Sequence, residues 1–138
     1  MEPSETGADI AVLGGGPAGY VAALVASRLG ASVTIIEERE IGGTCLNRGC
    51  IPTKALLKTA EAAQLLKKSK EFGIDAKYDG LHWDVAAGRK ERIVKSLRMG
   101  LEHLLDKSGV RLIRGKGSIV SPNRLVVQTG EAETAVNC

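Results

Sequence analysis

Cys45 and Cys50 flank Leu46-Asn47-Arg48-Gly49 and are close enough in the chain to work as a pair. Two thiols at short spacing can exchange with an external disulfide, share a metal ion, or sit inert in a core. In a regular helix, residues five apart are separated by roughly 8–9 Å at Cα, beyond the ~7 Å that a bridge tolerates. A bridge here therefore requires irregular backbone. Gly49 and Pro52 supply it, and Gly42-Gly43 loosens the approach. A helix starting near Pro52 sets its positive end beside Cys50, and Lys54 adds a charge, so both favour a Cys50 thiolate. Zinc would need about four ligands, and the other candidates, His82, His103 and Cys138, are scattered without paired spacing. Redox pair, metal site and inert thiols are the three readings, and the electropositive surroundings favour the first.

The second constellation is Gly14-Gly15-Gly16-Pro17-Ala18-Gly19, a G-x-G-x-x-G run between an apolar tetrapeptide and a helical pattern. Gly14 lets the chain turn off the strand, Gly16 lets a pyrophosphate approach the backbone, and Gly19 lets helix and strand pack closely. The free N–H groups and the positive helix end bind phosphate charge. Glu37 follows 18 residues beyond Gly19, where a carboxylate accepts hydrogen bonds from ribose hydroxyls and repels a 2′-phosphate. The expected ligand carries an unmodified adenosine ribose, as FAD and NAD do.

These residues need elements to hold them. Ile10 to Leu13 reads as a buried strand. Pro17 opens a helix, with Val21, Leu24, Val25, Arg28 and Leu29 at helical spacing up to Gly30. Ser32 to Glu37 is β-branched, so the first 37 residues form a βαβ unit with parallel strands. Glu40 to Cys50 is expected to be irregular. A helix from about Pro52 carries Ala55, Leu56, Ala60, Ala63 and Leu66, and Phe72 to Gly80 reads as a loop. A second long helix, Trp83 to Lys107, carries an apolar stripe of Val85, Ile93, Leu97, Leu101, Leu104 and Leu105. Strands are expected over Val110–Arg114, Gly117–Val120, Leu125–Thr129 and Glu133–Val136.

Bulk properties narrow the classes. With 138 residues, 43% hydrophobic and 25% charged, the chain suits one globular domain. Short basic groups, such as Lys67, Lys68 and Lys70, are broken by acidic residues, and aromatics are only 3%. Stacking on single strands is not expected, and neither nucleic acid nor a membrane is an expected partner. Met1 to Asp9 is acidic and polar, unlike a secretory or transit leader. The uncharged stretch Ile10 to Ser27 is broken by three glycines and a proline, so it does not read as a membrane span. Three cysteines cannot all pair in one chain, so a secreted disulfide scaffold is set aside and a cytoplasmic setting is expected.

The stretch Gly42-Gly43-Thr44-Cys45-Leu46-Asn47-Arg48-Gly49-Cys50-Ile51-Pro52-Thr53-Lys54-Ala55-Leu56-Leu57 resembles the redox-active segment of the pyridine nucleotide–disulfide oxidoreductases. It follows a flavin-type glycine fingerprint at the expected distance. Leu46, Ile51, Thr53 and Ala55-Leu56-Leu57 are most similar to the branch that oxidises dihydrolipoamide; mercuric and glutathione reductases are the alternatives, and a short non-catalytic flavin-binding module is a third. The resemblance implies an α/β, Rossmann-like FAD-binding domain with a parallel sheet and added β-strands, incomplete at the C-terminus. Residues 1–138 would be its N-terminal part, with the NAD-binding and interface domains absent. Cys45 would be the interchange thiol, with Cys50 and Lys54 beside the flavin. Gly14, Gly16, Pro17, Ala18 and Gly19 would bind the pyrophosphate, Glu37 the ribose, and Gly117 the adenine side. Gly43 and Thr44 are further FAD contacts. FAD would be bound and NAD would be the co-substrate, its site lying outside this chain. The implied partners are dihydrolipoamide on a lipoyl protein of a 2-oxoacid dehydrogenase or glycine cleavage complex, and a second copy in a homodimer.

Overall fold

The computed structural model describes residues 4–138. It runs β1 (Ser4–Gly7), β2 (Ile10–Leu13), α1 (Pro17–Arg28), β3 (Val33–Glu37), α2 (Gly43–Asn47) and α3 (Cys50–Lys67). A 3-10 turn at Ser69–Phe72 and α4 (Trp83–Lys107) follow, then β4 (Arg111–Arg114), β5 (Lys116–Ser121), β6 (Arg124–Thr129) and β7 (Ala132–Asn137). The stretch read as a polar lead begins with Met1, Glu2 and Pro3, which lie outside the described residues; its remainder forms β1, a strand the sequence pattern did not announce.

β2, β3 and β4 form a parallel sheet with β3 in the middle, in register Ile10↔Val33 and Thr34↔Arg111. The run VTIIE gives β3 two apolar faces, as a strand covered on both sides requires. Val33 and Ile35 join Ala23 and Leu24 of α1 and Leu101 and Leu105 of α4 in one core. Ile36 faces the other way, into a second core with Leu125, Val127 and Val136. That second layer is the sheet β1-β7-β6-β5, antiparallel except for the parallel β1–β7 pair. The order is thus helices, parallel sheet, second sheet, the expected α/β class with added strands.

Three local expectations are corrected. β2 is an edge strand, and Ile10 and Leu13 are 41% and 48% exposed, because only β3 pairs with it. Of the positions that helical spacing picked out on α1 and α4, Leu24, Leu101 and Leu105 are buried, whereas Val21, Val25, Leu29, Val85, Leu97 and Leu104 are exposed; Ala23, Ala86 and Val94 are the further buried positions. Along α3 only Ala55 is buried, since α4 is the one long element against it. The third concerns the cysteine segment itself.

Candidate functional site

The glycine run makes a tight loop between β2 and α1. Gly14 has φ +100°, a left-handed conformation that favours glycine, and its N–H donates to Ile36 O at 2.8 Å. A Cβ on Gly19 would strike the Gly14 carbonyl oxygen and lie 3.2 Å from Val12 Cγ1. This is the close helix–strand packing its position predicts. Gly16 differs: a Cβ there would meet nothing within 4 Å. It caps α1, no side chain caps that helix end, and no acidic residue lies in its first turn. Pro17 takes the first helical position, and Ala18 and Gly19 follow in the first turn, where backbone N–H groups have no intrahelical acceptor. This end of α1 suits an anion and leaves room at Gly16 for one.

Glu37 ends β3 and reaches back to the same loop. Its Oε2 accepts from Gly15 N at 2.8 Å and its Oε1 from Arg39 N at 2.8 Å. Gly14, Glu37, Lys116 and Gly117 then line one cavity of about 290 Å³. A Cβ on Gly117 would run into Leu13 and Ile36, so glycine keeps that wall thin. The structure thus brings the carboxylate, the loop and the β4–β5 turn to one place.

The cysteine segment is more regular than expected. Cys45 lies in α2, within the stretch read as irregular, and α3 begins at Cys50 rather than near Pro52. Gly42 and Gly43, at φ +95° and +59°, turn the chain into α2. The break is confined to Arg48 (φ −136°) and Gly49 (φ −117°). Pro52 is accommodated in the first turn of α3, where its missing N–H costs nothing. Both cysteines are free, Cys50 exposed and Cys45 half-buried. Hydrogen bonding with Cys50 holds the Cys45 thiol above its ordinary value, helped by desolvation and by the charge of Cys50, while Lys54 pulls the other way. The break therefore does what a regular helix could not: it brings Cys45 near enough to Cys50 for each to be felt by the other. Lys54, exposed on α3, acts on the pair electrostatically and lines neither the nucleotide cavity nor the groove described next.

Cys45 opens onto an apolar groove of about 440 Å³ between α1, α2 and α4, walled by Tyr20, Leu46, Leu97, Leu101 and Leu104. Pro17 lines the same groove, so it sits between the nucleotide loop and the thiols. The two motifs also touch directly. Gly42 N donates to Gly15 O at 2.8 Å, and a Cβ on Gly43 would lie 2.9 Å from Gly16 Cα. Thr44 is exposed in the first turn of α2. Among the described residues no three His, Cys, Asp or Glu side chains converge as a metal would need, and no helix is long and apolar enough to cross a membrane.

Two residues of this architecture, Ile41 and Asn47, escaped the sequence reading, and Arg48, an unexpected type between the cysteines, finds its partner only in the structure. Ile41 is fully buried, with its side chain over Gly15. Asn47 ties the end of α2 to the preceding loop through Ile41 O and Glu40 O. Arg48 pairs with Glu40 at 2.5 Å. The available signal was Gly15, a third glycine where the fingerprint asks for two.

A glycine loop shaped like a dinucleotide phosphate site, joined directly to a pair of cysteines, is the pattern of a nucleotide-linked thiol–disulfide protein. A profile of the pyridine nucleotide-disulphide oxidoreductases matches residues 8–136, and the chain belongs to that family. It is 43% identical over 127 residues to the dihydrolipoyl dehydrogenase of Acholeplasma laidlawii, covering 91% of this chain and 38% of that one. Against the mitochondrial dihydrolipoyl dehydrogenase of Pisum sativum it is 43% identical over 132 residues, covering 93% and 26%. It also resembles the HOCl-induced flavoprotein disulfide reductase of Escherichia coli, solved as a Cu(II) complex, with TM-score 0.73, 26% identity and coverage of 99% and 27%. The chain thus spans about a quarter to two-fifths of the length of these relatives.

Proposed function

We propose that this chain is the FAD-binding, dithiol-bearing part of an enzyme that oxidises dihydrolipoamide to lipoamide with NAD⁺ as acceptor. The observation that carries the substrate is the groove at Cys45. Beside Cys45 its walls are leucine, isoleucine, proline, tyrosine and glycine with one serine, Ser96, and no Asp, Glu, Lys or Arg lines it. A neutral aliphatic dithiol on a lipoyl arm suits such walls. A charged tripeptide would lose hydration there without gaining partners.

FAD, when bound, accepts the electron pair of the dithiol and passes it to the nicotinamide. Gly14, Gly16, Pro17, Ala18, Gly19, Gly43 and Thr44 would hold its phosphates, Glu37 its adenosine ribose and Gly117 its adenine side. The chain's own chemistry is thiol exchange. With Cys45 and Cys50 bridged, one dihydrolipoamide thiolate attacks Cys45 Sγ, the bridge breaks and Cys50 leaves as thiolate. The second substrate thiol then attacks the mixed disulfide, releasing lipoamide and leaving Cys45 as thiol. The substrate's protons need an acceptor, and neither His82 nor His103 lines the groove. A lipoyl protein as partner, a homodimer and a cytoplasmic setting belong to the same reading.

The test is reduction of NAD⁺ by dihydrolipoamide in the native protein that carries this chain, with glutathione and mercuric ion as rival substrates. Turnover with dihydrolipoamide supports the reading. Flavin-dependent turnover only with a rival moves the substrate elsewhere in the family.

A further inference from the structure

Asn47 closes the cysteine segment on itself. Its Nδ2 lies 3.0 Å from Ile41 O, 3.0 Å from Gly43 O and 3.4 Å from Glu40 O. Two N–H groups are thus shared among three acceptors. Its Oδ1 is buried and has no hydrogen-bond partner among the described residues. Turning the amide over would set that oxygen against three carbonyls, so the orientation is fixed by the donors.

The acceptors belong to the stretch that rests on the nucleotide loop. Ile41 packs over Gly15, Gly42 N donates to Gly15 O, and Gly43 abuts Gly16. Asn47 is the last residue of α2, two beyond Cys45 and immediately before the Arg48–Gly49 break. A five-residue helix does not hold its place alone. What fixes Cys45 relative to Cys50 is whatever ties α2 down. Two side chains do so from the same end: Asn47, part-buried, and Arg48, whose pair with Glu40 is exposed at both members.

We propose that Asn47 is a positioning residue of the dithiol. Its amide fastens α2 to the loop-bound stretch, so that Cys45 meets Cys50 across the break. A buried acceptor left without a partner is the cost of that arrangement. The inference rests on the reading above only in requiring that Cys45 and Cys50 form a bridge.

The test equilibrates the native protein that carries this chain in mixtures of reduced and oxidised glutathione. Each bridge formed consumes one oxidised glutathione and releases two reduced. Trapping the thiols and weighing the protein gives the effective concentration of the pair. Asn47→Ala removes both donors, and Asn47→Asp keeps the shape but replaces them with an acceptor. Near neutral pH both should lower the effective concentration about tenfold, the equivalent of one or two net hydrogen bonds. Arg48→Ala should change it less than about twofold, because exposed ion pairs contribute little. As pH falls, Asn47→Asp should recover, since a protonated carboxyl can donate again, and Asn47→Ala should not.

A bridge as stable in Asn47→Asp as in wild type overturns the inference alone. A wild-type chain that forms no bridge at any glutathione ratio overturns the disulfide reading and this inference with it. Should the variants not fold by far-ultraviolet circular dichroism, hydrogen exchange of the wild-type side-chain amide decides. Exchange slower than that of the exposed Gln64 amide supports the latch, and equal rates overturn it.

Discussion

Gly16 and Gly19 belong to the same fingerprint, yet the structure gives them opposite jobs, and an alanine at each separates the two. At Gly19 the new methyl would strike the Gly14 carbonyl oxygen, with the Gly14 carbonyl carbon at 3.1 Å and Val12 Cγ1 at 3.2 Å. These are backbone and packed strand atoms, not the end of a flexible side chain, so α1 must move off β2. Overpacking of this kind costs about 1–3 kcal/mol, or roughly 4–12 °C in Tm for a domain of this size. At Gly16 the methyl meets nothing within 4 Å, and φ −71°, ψ −176° is open to any residue. The lower entropy of the unfolded chain and the poorer helix cap offset each other, leaving stability within about 1 kcal/mol of wild type. The cost appears with the ligand, because the methyl stands where a phosphate must reach the backbone. Losing one charge-assisted hydrogen bond there weakens FAD binding by about 1.5–3 kcal/mol, roughly tenfold to over a hundredfold. The assays are thermal unfolding of the unliganded chain by circular dichroism and FAD titration by flavin fluorescence. Equal destabilisation by both alanines, or wild-type FAD affinity in Gly16→Ala, refutes the division of labour.

Glu37→Ala should lower the stability of the unliganded chain by about 1–2 kcal/mol, because Gly15 N and Arg39 N lose their acceptor; urea unfolding without nucleotide checks this, and an unchanged midpoint contradicts it. In the ligand-free chain, iodoacetamide should modify Cys50 before Cys45 near neutral pH, since Cys50 is exposed and Cys45 is half-buried with its thiol held up by Cys50; peptide mapping that finds Cys45 labelled first is the contrary result. Asp9 is held below the usual carboxylate range by hydrogen bonds from the Ser32 hydroxyl and backbone. The unfolded chain therefore binds a proton at higher pH than the folded one, so this contribution is full above the ordinary carboxylate pKa and is lost as pH falls through the folded value. Asp9→Asn should flatten the acid side of the stability curve, and an unchanged acid slope would count against the Asp9–Ser32 tie.

What could be read from sequence had a local cause, and what could not had a distant one. Gly14 announces a turn because its own φ is positive, and Glu37 is marked by its place at a strand end. The limits of α4 follow from its own charge and apolar periodicity. The thiol contact was half legible: the spacing demanded a break, but the break was spread over Glu40–Cys50 when the structure needs only Arg48 and Gly49. Spacing alone could not show that Gly42 and Gly43 start a helical turn in between. Burial on α1 was misread because periodicity gives a face and not a partner. Val21 and Val25 share spacing with Leu24, but β3 and α4 take only the side of Ala23 and Leu24. Gly15, Ile41 and Asn47 are the instructive case. Each matters through an atom more than three residues away, and no helix or strand period links them. Nothing in their types singles them out until Ile41 is seen against Gly15 and the Asn47 amide against three carbonyls. The fingerprint positions that sequence reasoning knows are those that meet a ligand or bend the chain. The positions it passed over join the glycine loop to the cysteine segment, and that joint sets the open end of α1 against the short helix that carries Cys45.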